Sequence, residues 1–550
     1  MTVNTYREAL FHVKRGFMII GLTGYTGSGC SSAADILQKE RKPALPGFDS
    51  IASRDYRLTE RKIYEKLSRT WDQLDWEPFI RIDVGRLIFC FAVIRALSYQ
   101  SDSVILATLR ESIEDEKAAI SPIQLLTANR NLSEEEQKSL IAAYQNSDKL
   151  YKRLYKSLVE RNSSFSKANW ISLLQDFGDQ IRKYGYVEPS ESDKPHPQNL
   201  FVLPEAIRQI IKCYRKINRR SHFVIDAFRN PYEVEYFQRR YGESYLVGIL
   251  RDQAIRKKQT QDKGLDLQFV NRLEERESGH MLKYGKDKAE DCLTSLNIDS
   301  CLQKSDFFIH NIESTTRSRP RLEFGLIKLI TLAKWPGCIP PTIDERSMQI
   351  AMTARQMSGC ISRKVGATIL DKDGYVKGVG WNDPPEGQIP CSLRTGADLT
   401  NNPIVSVFSE YERGEVFTEK IHELNIGSTA FCFKSIYQLI KNKDKPEFTR
   451  SLHGEENAVF QALANSNGKL PGSTLYTTDR TCTLCAKKAY QVGVKRIVYV
   501  EDYTDDAIKQ TINSGSEEIR VERFEGVTGS AYFKLFASLI PEKDLNAIES

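Results

Sequence analysis

The chain has 550 residues, 40% hydrophobic and 27% charged, with 78 Lys+Arg against 72 Asp+Glu for a formal charge of +6. That length exceeds the roughly 250–300 residues at which a single core stops growing, so two large domains are expected, and the composition excludes wholesale disorder or a fibrous architecture. The slight basic excess accommodates anionic ligands without demanding nucleic acid, and eleven dispersed cysteines argue for reduced thiols rather than a secreted disulfide scaffold.

The N-terminal stretch 1–16 has no apolar run before a small-residue cleavage site, and no later stretch approaches the ~20 apolar residues of a membrane span. A cytoplasmic protein without membrane partners is expected. The first element is an apolar strand, Gly16–Gly24, followed by the glycine-rich turn GYTGSGCSS and a helix over Ala33–Glu40. Gly24, Gly27, Gly29 and Ser31 follow the phosphate-loop frame G-x-x-x-x-G-K-[ST], but Cys30 stands where the frame has lysine. Main-chain amides with Ser31 or Ser32 would hold phosphate and Mg²⁺ at the helix start. The cation that stabilises a transferring phosphoryl group is missing, so a regulatory nucleotide is expected there and phosphoryl transfer is not.

Further strands are predicted at Ser103–Thr108, His222–Ala227, Tyr245–Leu250 and Phe307–His310, with a helical insertion across Glu111–Asn218 in which Ser133 caps one helix. Strands alternating with helices give an α/β class, a doubly wound parallel sheet. Asp226 with Arg229, and Arg251 with Arg256, resemble segments of nucleoside monophosphate kinases, whose arginines face nucleotide phosphates. The segment WPGCIPPT is the best linker, which divides the chain into 1–340 and 341–550.

The second domain opens with a helix over Ile343–Gly359, then a hairpin whose strands VGATIL and YVKGVGW flank Asp371–Gly374. The poorly periodic stretch Asp398–Arg450 is expected to be an insertion loop with some helix. A helix carrying HGEENAVFQAL, a strand STLYTT, a helix from CTLCAKKAYQVG and a strand KRIVYV follow.

His453-Gly454-Glu455 followed by Cys482-Thr483-Leu484-Cys485 matches the H-x-E…C-x-x-C arrangement of zinc deaminases. One imidazole and two thiolates supply three ligands to Zn²⁺ and leave a fourth position for water, as a catalytic site requires. Glu455, two residues from a ligand, is expected to take a proton from the metal-bound water, pass it to the ring N3 and help ammonia leave. Thr481 departs from the arrangement, which has Pro there.

The segment from Ser347 to Gly387, together with HGEENA and CTLC, resembles the deoxycytidylate deaminase branch of the cytidine deaminase superfamily, over about residues 342–505. The resemblance implies an α/β/α sandwich, deamination of cytosine deoxynucleotides, and a sugar contact by Asn382 within the pattern Gly380, Asn382, Pro385, Gly387. It also marks Arg363 as a residue that faces phosphate. A degenerate kinase domain fused to such a deaminase resembles the bacterial anti-phage dCTP deaminase family. That likeness implies that dCTP and dCMP become dUTP and dUMP; Cys30 in the lysine position leads to the expectation that the phosphate-loop domain regulates, and the resemblance to the deaminase branch, whose members form assemblies, to that of a homo-oligomer. An RNA or protein inhibitor, the trigger and the mono- versus triphosphate preference are left open by the sequence.

The C-terminal aromatics Phe524–Phe536 are expected to pack, with capping of the base pocket as the alternative. Cys360, Cys391 and Cys432 are expected to be free buried thiols. Two other functions compete: a deaminase of polynucleotide cytosine or adenine, which needs a basic aromatic track near the motif, and a non-enzymatic nucleotide sensor with a structural zinc.

Overall fold

The computed structural model describes residues 16–51, 58–99, 103–128, 130–160, 165–219, 221–279, 289–312, 319–443, 448–501, 508–541 and 543. The N-terminal stretch on which the absence of an export signal rests lies outside them but for Gly16. The chain is mixed α/β and divides into two compact units. One reaches to Pro340 and includes the C-terminal segment from Phe533; the other spans Pro341–Tyr532. No helix among the described residues is long and apolar enough to cross a membrane.

The first unit is built on five parallel strands, β1 (Met18–Thr23), β2 (Ile80–Asp83), β3 (His222–Asp226), β4 (Ser244–Leu250) and β5 (Phe307–His310), in the order β2-β3-β1-β4-β5. β1, β3 and β4 are buried along their whole length, which is why they read as unbroken runs rather than alternating ones. Helix α1 (Cys30–Leu37) follows β1 directly. The helical tract contains α2 (Val84–Ser98), α3 (Glu134–Tyr155), α4 (Lys167–Tyr184) and α5 (Val202–Ile217). α2 is apolar on nearly every face, so it lies inside this tract with its neighbours wrapped around it. Ser133 does cap α3: its hydroxyl accepts from the Glu136 amide at 3.2 Å while the Glu136 carboxylate accepts from the Ser133 amide at 2.8 Å. Two further helices matter below, α6 (Leu267–Ser278) and α7 (Pro320–Lys334).

Two expectations fail here. Ser103–Thr108 is not a strand but the start of a helix, Val104–Ile113, whose Leu106, Leu109 and Ile113 are buried at helical spacing behind a Ser103 cap. A strand at Ile80–Asp83 went unpredicted, because four residues alternating with charge at a sheet edge leave almost no apolar signal.

The second unit begins with α8 (Ile343–Met357), capped by Thr342 and Glu345. Its sheet has the order β10-β9-β8-β6-β7, from β6 (Gly366–Leu370), β7 (Val376–Trp381), β8 (Ser473–Asp479), β9 (Val494–Glu501) and β10 (Arg520–Arg523). β6 and β7 form the expected antiparallel hairpin; β8, β9 and β10 run parallel to one another. α9 (Gly454–Ala464) lies on β6 and β7, and α10 (Thr483–Val492) joins β8 to β9. The contact of α9 with β7 is intimate. An added methyl on Gly380 would meet both the Gly454 carbonyl oxygen and the Ala458 nitrogen at 2.2 Å, so only glycine lets the start of α9 approach the strand.

The insertion between β7 and α9 is more ordered than its sequence suggests. Short helices at Gly396–Asn401, Glu410–Arg413, Glu415–Glu423 and Phe433–Lys441 enclose a small core of Leu399, Phe408, Phe417, Ile421, Phe431 and Ile436. Inside it the Arg394 guanidinium and Glu412 carboxylate form a fully buried ion pair. The chain enters and leaves this insertion side by side, since Asp383 and Leu452 are bridged.

Candidate metal and active centre

His453 and Cys482 are the residues immediately preceding the first turns of α9 and α10, and Cys485 lies in the first turn of α10. Two helix starts therefore bring three donors to one place. The donor atoms lie within 4.8 Å of one another, and His453 Nδ1 is 3.3 Å from both the Cys482 and Cys485 sulfurs. The Lys488 ammonium and Glu456 carboxylate join α10 to α9 one turn further on. The Asn457 side chain donates to the Trp381 carbonyl at 2.8 Å and ties α9 to β7.

This donor set fits Zn²⁺: a nitrogen and two sulfurs converge, and among the described residues no fourth protein donor joins them, which leaves the position a catalytic site keeps open. The hydrogen bond from Cys485, and then His453, pushes the Cys482 thiol down to about 4, so a thiolate stands at the start of α10 where the helix amides favour it. Cys485 is raised in turn by sharing its proton with Cys482. Glu455 is buried at 5% exposure, and desolvation pushes its carboxyl up to about 7. Such a group can both accept and return a proton near neutrality.

Near these donors lies a cluster the sequence did not announce. The Arg363 guanidinium is ion-paired with Asp479 at 2.8 Å and donates to Glu501 at 3.1 Å, while Arg355 reaches Glu501 at 3.2 Å. Asp479 ends β8 and Glu501 ends β9, so the cluster fixes the carboxyl ends of two strands, one of which leads directly into the Cys482 turn. The only signal was a single carboxylate closing each apolar strand. Arg363, expected to face phosphate, is held by these two carboxylates. Asn382 is likewise committed to its own chain: Oδ1 accepts from the Ser358 hydroxyl at 2.8 Å and the Val365 amide at 2.7 Å, and Nδ2 donates to the Arg363 carbonyl at 2.6 Å. It staples the 358–365 turn and keeps one N–H for any further partner.

Phe524 is fully buried, whereas Phe533 is 67% exposed. Burial raises the Cys432 thiol, and the nearby Cys391 and Cys360 add to the shift in the same direction. Those three thiols do not converge as a metal-ligand group among the described residues.

In the first unit, Gly24, Gly27 and Gly29 lie in the turn between β1 and α1, Ser31 and Ser32 in the first turn of α1, and all five line a cavity of about 550 Å³ with Asp226 and Arg229. Gly29 has φ +116°, a conformation that side chains disfavour. Of the other predicted arginines, Arg251 lines the same cavity and donates to Gln259 at 2.8 Å, and Arg256 is paired with Glu274 at 2.9 Å while covering the Tyr25 ring.

Residues 341–501 match the family model described as the cytidine and deoxycytidylate deaminase zinc-binding region. The deoxycytidylate deaminase of Enterobacteria phage T4 is 29% identical over 189 residues, 32% of this chain and 88% of the phage protein. A probable deoxycytidylate deaminase of Drosophila melanogaster is 33% identical over 206 residues, 37% of this chain and 82% of the fly protein. Among solved structures, the dCMP deaminase of cyanophage S-TIM5 in complex with dCMP and dUMP is 25% identical, with 34% of this chain and 99% of that one covered at a TM-score of 0.21.

Proposed function

The chain belongs to the cytidine and deoxycytidylate deaminase family through its residues 341–501, and on that premise we propose that it hydrolyses the amino group of free deoxycytidine nucleotides, converting dCMP and dCTP to dUMP and dUTP with release of ammonia. The observation that carries this reading is the three-donor cluster with an open position beside the buried Glu455. Zn²⁺ held by His453, Cys482 and Cys485 would supply the Lewis acidity that makes water nucleophilic at neutral pH. Glu455 takes a proton from the water that attacks C4 of the cytosine, delivers it to N3, and transfers a second proton to the departing amino nitrogen. The Arg355, Arg363, Asp479 and Glu501 cluster holds the β8 end and thus the Cys482 turn in place. Asn382 fixes the 358–365 turn and offers its remaining N–H to the sugar.

Loss of dCTP and dCMP would starve a replicating phage of a DNA precursor, and we assign the chain to that defence, with the first unit as a nucleotide-binding regulator. Two features support the regulator: the glycine turn between β1 and α1 in a parallel sheet, and the absence of lysine at Cys30. The test is ammonia release from the purified chain across deoxynucleoside mono- and triphosphates and single-stranded DNA. Glu455→Ala should keep zinc stoichiometry and lose about 10²–10⁴ in rate. Retention of full activity in that variant removes the proton shuttle, and turnover of the polynucleotide alone removes the free-nucleotide substrate. In cells, phage protection that persists in Glu455→Ala would separate defence from deamination.

A further inference from the structure

The first-unit cavity is lined both by the glycine-rich turn and by a set of apolar side chains. Gly24, Gly27, Gly29 and Ser31 belong to the turn and the helix start after it; Ile88, Tyr151, Trp170 and Leu174 come from α2, α3 and α4. Its volume of about 550 Å³ lies within the roughly 300–1,000 Å³ of small-molecule sites. A ligand with a polyanionic end and a flat, largely apolar end matches both.

The turn itself provides no positive side chain. Cys30 occupies the lysine position, and burial pushes its thiol up to about 12, so the group is neutral at physiological pH. Most cations around the cavity are already engaged: Arg182 by Glu233 and Asp179, Arg229 by Glu277, and Arg251 by Gln259. Arg319 differs. It precedes the first turn of α7 and lines the cavity, its Nη1 is buried without a hydrogen-bond partner among the described residues, and that atom lies 3.8 Å from where a Cβ on Gly29 would stand. A buried guanidinium nitrogen left unpaired is costly unless a ligand completes it.

Resting on the assignment of the first unit as a nucleotide-binding regulator, we propose that this cavity takes a nucleoside triphosphate, with Arg319 supplying from α7 the phosphate-facing cation that the turn lacks and the Trp170 wall taking the nucleoside. A cation placed there serves retention of the anion. It comes from a different element than the turn, so binding draws α7 and the turn together, and the ligand itself would complete the site.

The experiment uses the full zinc-loaded chain, titrated with ATP, GTP, dTTP and inorganic triphosphate in the presence of Mg²⁺ and followed by calorimetry and tryptophan fluorescence. These probes lack cytosine, so they are not deamination substrates. At least one nucleoside triphosphate should bind about tenfold or more tighter than inorganic triphosphate, since only it reaches the apolar wall. Arg319→Ala should weaken nucleoside triphosphate and inorganic triphosphate alike by about 10- to 100-fold, and Arg319→Lys should recover part of the loss. Thermal unfolding of both variants should stay close to the parent, because among the described residues Nη1 has no hydrogen-bond partner to lose. Equal binding by Arg319→Ala and the parent overturns the role of Arg319 while leaving a nucleotide-binding first unit intact. Equal affinity for triphosphate with and without a nucleoside overturns the nucleoside end. If no probe binds the parent chain, this proposal and the regulatory assignment fall together.

Discussion

Gly380 and the Ala458 backbone are so close that a methyl on the glycine would sit 2.2 Å from the Ala458 nitrogen. The hairpin strand β7 and the helix that presents His453 and Glu455 are thus in direct main-chain contact. Gly380→Ala must push α9 off the sheet, and overpacking against backbone has no flexible side chain to absorb it. The expected loss is about 3 kcal/mol of second-unit stability, measured by denaturant unfolding, together with reduced zinc retention.

Removal of the metal should be felt across both helix starts. With a chelator, the Cys482 and Cys485 thiols should become accessible to a thiol reagent, and unfolding of the second unit should move to lower denaturant, because binding energy of a ligand-held metal is also stability. Re-addition of Zn²⁺ should reverse both changes. If chelated and loaded chains unfold at the same midpoint, the three donors do not hold an ion.

The insertion between β7 and α9 should depend on its buried ion pair. Glu412→Gln leaves the Arg394 guanidinium charged and enclosed at 0% side-chain exposure, a change that costs roughly 3–5 kcal/mol when one partner of a buried pair is removed. Because the insertion has its own small core, the expected outcome is local opening. Hydrogen exchange should accelerate over its helices while β6, β8 and β9 remain protected.

Glu501 should give the second unit a pH dependence. Burial, then the adjacent Asp479, pushes its carboxyl up to about 8 against an ordinary value of 4.5, with Arg355 and Arg363 opposing the shift. Between those values the folded chain holds a proton that the unfolded chain has released, so this contribution is complete below about 4.5 and is lost as pH rises through about 8. Glu501→Gln should flatten the fall in denaturant midpoint over that window. An unchanged slope in the variant would assign the dependence to another group.

What the sequence disclosed and what it hid follow from the range of each interaction. The convergence of His453, Cys482 and Cys485 was legible because they belong to two local motifs whose spacing is set by helix starts. β1, β3 and β4 were legible because burial on both faces makes unbroken apolar runs. The segment Ser103–Thr108 misled, since six apolar-rich residues suit either period and only the later Leu109 and Ile113 reveal the helical one. Arg363 and Asn382 stood out by their likeness to the family pattern, but their partners Asp479, Glu501, Ser358 and Val365 are supplied by tertiary contacts that no spacing rule encodes. The insertion core was hidden for the same reason: its aromatics are spread over four short helices, each too short for a periodic signal.

The bridge between Asp383 and Leu452 makes a neck of the insertion's two ends. A segment tethered in that way can lengthen, shorten or be exchanged at small entropic cost, since closure of its base does not depend on what hangs beyond it. A change in the appendage's length is therefore expected to leave the neck closed, and with it Trp381 and His453 on either side of it in register.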